Sequence, residues 1–222
     1  MENMRKIHFL LLIIFIALFV GFTYLLTTYD IQAVGPSNSA VGLATINSAF
    51  HNMFPYNEGL YKLTKYLGYL QMVIAAFFVL LTFLELLRAK SIKKVDYDLK
   101  ATLLAYVMTA AVYVAFEKFI INYRPVDLGE GLEASYPSSH TLIAVVVIGT
   151  TISLIRNRFT QGGGLNFVCI VLFAIGATSV IGRMFCGVHW FTDIVGAALV
   201  AMVIVLVFEV ICDNARIKKS YY

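Results

Sequence analysis

Three short polar clusters stand at the margins of long apolar stretches: Arg124-Pro125, Pro137-Ser138-Ser139-His140, and the run from Arg183 through His189 to Asp193. A charge near a bilayer centre costs about 2.5 to 3.5 kcal/mol on insertion scales, so ionisable groups kept beside apolar spans are functional candidates. His189 and Asp193 are four residues apart. At the start of a helix that spacing puts both on one face, where the carboxylate can orient the imidazole through one ring nitrogen. The other nitrogen is then free to attack phosphorus, and the carboxylate stabilises the imidazolium that forms. Arg183, six positions before the histidine, offers a planar fork of donors suited to phosphate oxygens.

Pro137-Ser138-Ser139-His140 reads as a Ser-capped helix start, where unpaired backbone N–H groups and the helix dipole favour an anion. His140 at that position is placed to protonate a leaving alkoxide. Lys118 and Arg124 add positive charge against a phosphate dianion and the charge that builds during its transfer. Each cluster has a blander reading when taken alone: a structural His–Asp hydrogen bond, an ordinary capped helix, and basic side chains that snorkel to the interface. Three of them on one membrane face favour phosphate handling.

The elements that must position these residues follow from composition. The chain of 222 residues is 60% hydrophobic and only 14% charged, with a mean hydropathy of +0.82, whereas a soluble domain carries about 25% charged residues. An all-α, integral membrane protein is predicted, as one domain over residues 1–222. A span needs about 20 mainly apolar residues, and hydropathy places six, at 7–27, 66–87, 99–121, 141–155, 165–181 and 191–211. Pro125 is expected to end the third span and hold Arg124 at the interface. The first span follows Arg5 and Lys6 like a secretory signal, but its apolar core is too long and its small-residue site, Ala33-Val34-Gly35, lies too far beyond it, so a retained anchor is expected.

Between the first two spans, Leu43, Ile46, Phe50 and Met53 recur at helical spacing around Asn47, His51 and Asn52, which predicts a helix lying in the interface. It would either line a lateral route for a lipid or cap the bundle. Cys169, Cys186 and Cys212 are too far apart for a metal cluster and read as packing residues. His8 and His51 read as surface residues. Gly162-Gly163-Gly164 reads as a turn, not a phosphate cradle.

Basic flanks of short loops stay in the cytoplasm. One side collects twelve: Arg5, Lys6, Arg88, Lys90, Lys93, Lys94, Lys100, Arg156, Arg158, Arg216, Lys218 and Lys219. The other holds five: Lys62, Lys65, Lys118, Arg124 and Arg183. Both termini are therefore expected inside, with the polar clusters at the extracytoplasmic face. The net charge of +4 is accounted for by this topology and calls for no nucleic acid.

The order Lys118, Arg124-Pro125, Pro137-Ser138-Ser139-His140, then Arg183, His189 and Asp193 resembles the type 2 phosphatidic acid phosphatase superfamily, which also includes vanadium haloperoxidases. The motifs cover 118–193, and the six-span layout extends the likeness along the chain. The resemblance implies a phosphohistidine on His189, with Asp193 orienting it and His140 as the acid. It implies Lys118, Arg124, Ser138, Ser139 and Arg183 on the phosphate, with no metal and no cofactor.

Three positions depart from the family pattern. Lys118 leaves five residues before Arg124 where the family has six, and Glu117 stands at the family position. A one-residue shift turns a helical side chain by about 100°. Ser139 replaces a Gly, and Gly182 replaces a Ser. The expected substrate is a membrane lipid phosphate or polyprenyl diphosphate. Phosphotransfer through the same intermediate and non-catalytic lipid-phosphate binding are the alternatives. A transporter would carry ionisable or broken-helix features at mid-membrane, of which these spans have almost none.

Overall fold

The computed structural model describes residues 2–129, 131–159 and 162–220, the side chains of 219 and 220 excepted. Lys219, counted above among the basic residues of one side, therefore lies outside the described side chains. Seven α-helices are present among these residues: α1 (Glu2–Thr28), α2 (Ala44–Met53), α3 (Glu58–Ala89), α4 (Tyr97–Lys118), α5 (Ser139–Arg158), α6 (Gly163–Phe185) and α7 (Phe191–Ser220). All but α2 are long and apolar enough to cross a membrane, so the chain is an all-helical, multi-pass membrane protein.

Helix α7 lies against α1, α4 and α5, and α5 also meets α3, α4 and α6. The core runs along their shared seam: Ala101 and Ala105 of α4, Leu142, Val146 and Leu154 of α5, and Ala197, Ala201, Ile204 and Phe208 of α7. Small residues on α4 and α7 let the helix axes approach closely, as in membrane bundles generally. The outer helices turn large apolar side chains outward, among them Phe9 and Leu10 of α1, Phe77 and Phe83 of α3, and Phe167 and Phe173 of α6. In water such a surface would drive association; in lipid it is the ordinary exterior.

The spans are longer than hydropathy alone suggests, because polar ends also hold helix. Asn57 caps α3 by accepting from Leu60 N at 2.9 Å, ahead of an exposed Glu58–Lys62 pair. One boundary is shorter and corrects the expectation for Pro125. Helix α4 stops at Lys118, six residues before Arg124, since Asn122 and Tyr123 are committed elsewhere. Tyr123 bridges Ala134 in an antiparallel pair, Ser135 N donates to Asn122 O at 2.9 Å, and Arg124 N donates to Glu133 O at 3.0 Å. Arg124 thus rides on a tied loop, not on a helix end.

Helix α2 forms where expected, and its Phe50 ring packs on Phe185 of α6 and Phe191 of α7. Asn47 is buried, whereas Ile46 and Met53 are exposed. The surface reading of His8 is also corrected: its Nδ1 lies 2.8 Å from Asp213 Oδ2 and ties α1 to α7. His51 sets its ring edge-on to Trp190 at 5.6 Å. The three cysteines are free and buried. Gly162 precedes α6, and Gly163 and Gly164 form its first turn.

Candidate active site

The loop before α5, the last turn of α6 and the first turn of α7 meet at one end of the bundle. Tyr136 anchors the first of these. Its ring lies against Gly196 of α7, where a Cβ would stand 2.2 Å from Cε2, and its hydroxyl shares a 2.7 Å hydrogen bond with Thr23 of α1. Beside it, Ser138 N donates to Asp193 O at 3.1 Å. Ser138 caps α5 through its side chain, which joins the helix start directly to the α7 backbone.

The turn from α6 to α7 is fixed by Gly187. Its φ of +73° is a left-handed conformation, and a Cβ would come within 2.5 Å of Tyr56 N. Only glycine meets both conditions without strain. Asn57 N donates to Cys186 O at 3.0 Å and holds the start of α3 to the same turn.

His189 is 3% exposed and Asp193 0%. Their closest approach, Nδ1 to Oδ2, is 3.6 Å, too long for a direct hydrogen bond. Ser135 stands between them. Its Oγ is 3.1 Å from His189 Nδ1 and donates to Asp193 Oδ2. The same carboxylate oxygen accepts from Trp190 N at 2.8 Å. His189 Nε2 has no hydrogen-bond partner among the described residues. Burial holds the His189 imidazole below its ordinary pKa, while Asp193 acts in the other direction.

Arg183 is 1% exposed, and its Nε and one terminal nitrogen are unpaired among the described residues. Its guanidinium stacks over the Tyr61 ring at 5.0 Å. A buried cation with unpaired donors is costly unless an anion arrives to use them. Arg124 and Arg183 both act on the charge of His189. Arg124 is joined to Glu133 at 2.9 Å, with its Nε unpaired.

His140 lies in the first turn of α5, where Arg183, His189, Arg124 and Lys65 all bear on its charge. Space for its ring comes from Gly68 of α3, where a Cβ would be 3.1 Å from His140 Cδ2. Two family departures gain reasons here. A Cβ on Gly182 would meet the Thr64 methyl at 2.5 Å, so the missing hydroxyl accompanies closer packing of α6 on α3. Ser139 faces two cavities at once.

The first cavity, of about 330 Å³, is polar and is lined by Glu117, Arg124, Glu133, Ser135, Ser139 and His189 among others. The second, of about 770 Å³, is an apolar groove between α3, α4 and α5. They share Tyr113, Ser139 and Leu142 as a common wall. Of the residues picked out from the sequence, His140, Arg183, His189, Asp193, Arg124, Ser138 and Ser139 gather at this end of the bundle. Lys118 does not join them: it is exposed, and Glu117 takes the place on the cavity wall. Ser135, Tyr61, Lys65 and Glu133 were not singled out from the sequence. Only the position of Ser135 just ahead of the Pro-Ser-Ser-His run hinted at a role.

A six-span bundle that buries a histidine beside unpaired arginine donors at one end offers a place for an anionic group at the membrane. Residues 114–216 match the model of the PAP2 superfamily. The fold of the chain is similar to that of the first transmembrane PAP2 type phosphatidylglycerolphosphate phosphatase from Bacillus subtilis, with a TM-score of 0.62, 16% identity, and 92% of this chain and 96% of that one covered. Aquifex aeolicus LpxE aligns with a TM-score of 0.47 and 19% identity over 72% of this chain and 92% of its own. No curated protein matches the chain in sequence.

Proposed function

We propose that the protein removes phosphate from a membrane lipid phosphate or polyprenyl diphosphate at the extracytoplasmic face, without a metal, through a phosphohistidine on His189. The carrying observation is the pair of unpaired, buried donors of Arg183 bearing on a histidine whose Nε2 is also unpaired. In the first half-reaction Nε2 attacks phosphorus and the bond to the lipid oxygen breaks, with His140 giving its proton to the leaving oxygen. In the second, water loses a proton to His140, attacks phosphorus, and the P–N bond breaks to release inorganic phosphate. Arg183 and Arg124 balance the charge on the transferring group in both steps, and Ser138 and Ser139 contribute the helix start that receives its oxygens.

A lipid substrate is supported by the apolar groove of about 770 Å³ that shares a wall with the polar cavity. A headgroup in one and a hydrocarbon chain in the other satisfy both surfaces. The Bacillus subtilis relative is named as a phosphatidylglycerolphosphate phosphatase, which makes glycerophospholipid phosphates the first substrates to try. The extracytoplasmic assignment rests on the excess of Lys and Arg at the end of the bundle opposite the site.

The test is phosphate release from a panel of lipid phosphates and polyprenyl diphosphates by protein purified in detergent with EDTA. Wild type turns over and His189→Asn does not. Equal rates for the two, or strict dependence on an added divalent metal, would overturn the reading.

A further inference from the structure

We propose that Ser135 is a positioning residue that carries the hydrogen bond between His189 and Asp193, so that the carboxylate acts on the imidazole through a hydroxyl. This rests on the reading of His189 as the attacking group. The distances set the order of the three groups: Asp193 Oδ2 is 3.6 Å from His189 Nδ1, while Ser135 Oγ is 3.1 Å from that nitrogen and bonded to that oxygen.

Proton counting then fixes the tautomer. An ionised carboxylate only accepts, and a serine hydroxyl has one proton to give. That proton goes to Asp193 Oδ2, which leaves the Oγ lone pairs to accept, and His189 must therefore donate from Nδ1. Its remaining nitrogen, Nε2, carries no proton and is the atom left without a partner. When Nε2 bonds to phosphorus, positive charge develops on the ring. The strengthened Nδ1–H donation passes through the hydroxyl to the carboxylate, with no proton leaving the ring.

Ser135 is held firmly enough for this. Its backbone N–H donates to Asn122 O at 2.9 Å, and the next residue, Tyr136, is fixed against Gly196 and bonded to Thr23. Asp193 is fixed from the other side by Trp190 N. A hydroxyl clamped between two such groups holds the ring more tightly than solvent would.

The experiment compares wild type, Ser135→Ala, Ser135→Thr and His189→Asn in detergent, reading kcat, KM, the pH profile of kcat/KM and the acid-labile phosphoenzyme trapped on rapid quench. Misplacing a reacting group by about 1 Å costs on the order of 100-fold. Ser135→Ala is therefore expected to lose about 10- to 100-fold in kcat with KM little changed. Its acid limb should move to lower pH as Asp193 loses its hold on the imidazolium. Ser135→Thr, which keeps the hydroxyl, should restore most of the rate and the wild-type limb.

Wild-type kcat and an unmoved limb in Ser135→Ala would overturn the proposal, as would equal losses in Ala and Thr variants that unfold at the wild-type temperature. If Ser135→Ala fails to fold, Ser135→Thr decides by whether its limb stays in place. Turnover by His189→Asn, with no phosphoenzyme in wild type, would instead remove the reading of His189 on which the relay stands.

Discussion

Asn47 on the short helix α2 and Thr192 in the first turn of α7 are joined by reciprocal hydrogen bonds: Asn47 Nδ2 donates to Thr192 Oγ1 at 2.9 Å, and Thr192 N donates to Asn47 Oδ1 at 3.2 Å. Asn47 also donates to Gly42 O at 2.9 Å. A buried amide on the surface helix thus caps the helix whose next residue is Asp193. Asn47→Ala strands the Thr192 donor, and an unsatisfied buried group costs about 1 to 3 kcal/mol. Thermal unfolding in detergent should fall accordingly, and kcat should drop with it. Asn47→Asp keeps the acceptor for Thr192 N and should lose less.

Gly68 sets the place of the His140 ring. In Gly68→Ala the new Cβ would lie 3.1 Å from Cδ2, so the imidazole must shift by a few tenths of an ångström. A loss of about tenfold in kcat is expected for Ala and a larger one for Val. Steady-state kinetics with both variants checks this, and a wild-type kcat in Gly68→Val would show that the ring's position is immaterial to the chemistry.

The cations differ sharply in expected weight. Arg183→Ala removes a buried guanidinium and should cost about 100-fold in kcat/KM, the scale of losing one donor to a developing oxyanion. Lys118→Ala takes an exposed side chain and should change kcat/KM by no more than about twofold. Glu117→Gln removes a negative charge from the cavity wall and should lower KM for an anionic substrate. A loss on Lys118→Ala equal to that of Arg183→Ala would mean that the lysine reaches the phosphate after all.

Acid should reveal the burial of His189. Its folded pKa is depressed by burial, while the unfolded chain takes up the proton near pH 6.5. Below that value the unfolded state binds more protons, so stability is present above it and is lost as pH falls through the folded value. The acid limb of kcat/KM should likewise sit below pH 6.5. Asp193→Asn removes an influence that raises the imidazole's pKa and should move the limb lower still. An upward movement would contradict the assignment of Asp193.

The spans, and the gathering of both histidines and Arg183 at one end, were legible because apolar length and local spacing report them directly. Hydropathy cannot report a bond across distance. Ser135 is 54 residues from His189, and His8 is 205 from Asp213; neither pairing leaves a trace in local pattern. The inward place of Asn47 is equally hidden from local pattern, because its partners, Gly42 O and Thr192, are brought to it by the fold. The end of α4 was misread because Pro125 looked like its terminator, whereas loop pairing had already drawn Asn122 and Tyr123 out of the helix.

The grip of α7 on α1 and on the Tyr136 loop has a consequence for synthesis. Asp193 and Gly196 are made long after Thr23, Ser135 and His140, and they supply the surface against which that loop settles. When synthesis reaches Asp193 the loop of Ser135 and His140 is already made, whereas Arg183 and His189, close before the carboxylate in sequence, emerge together with it. That loop therefore takes its final place only after the closing span is inserted.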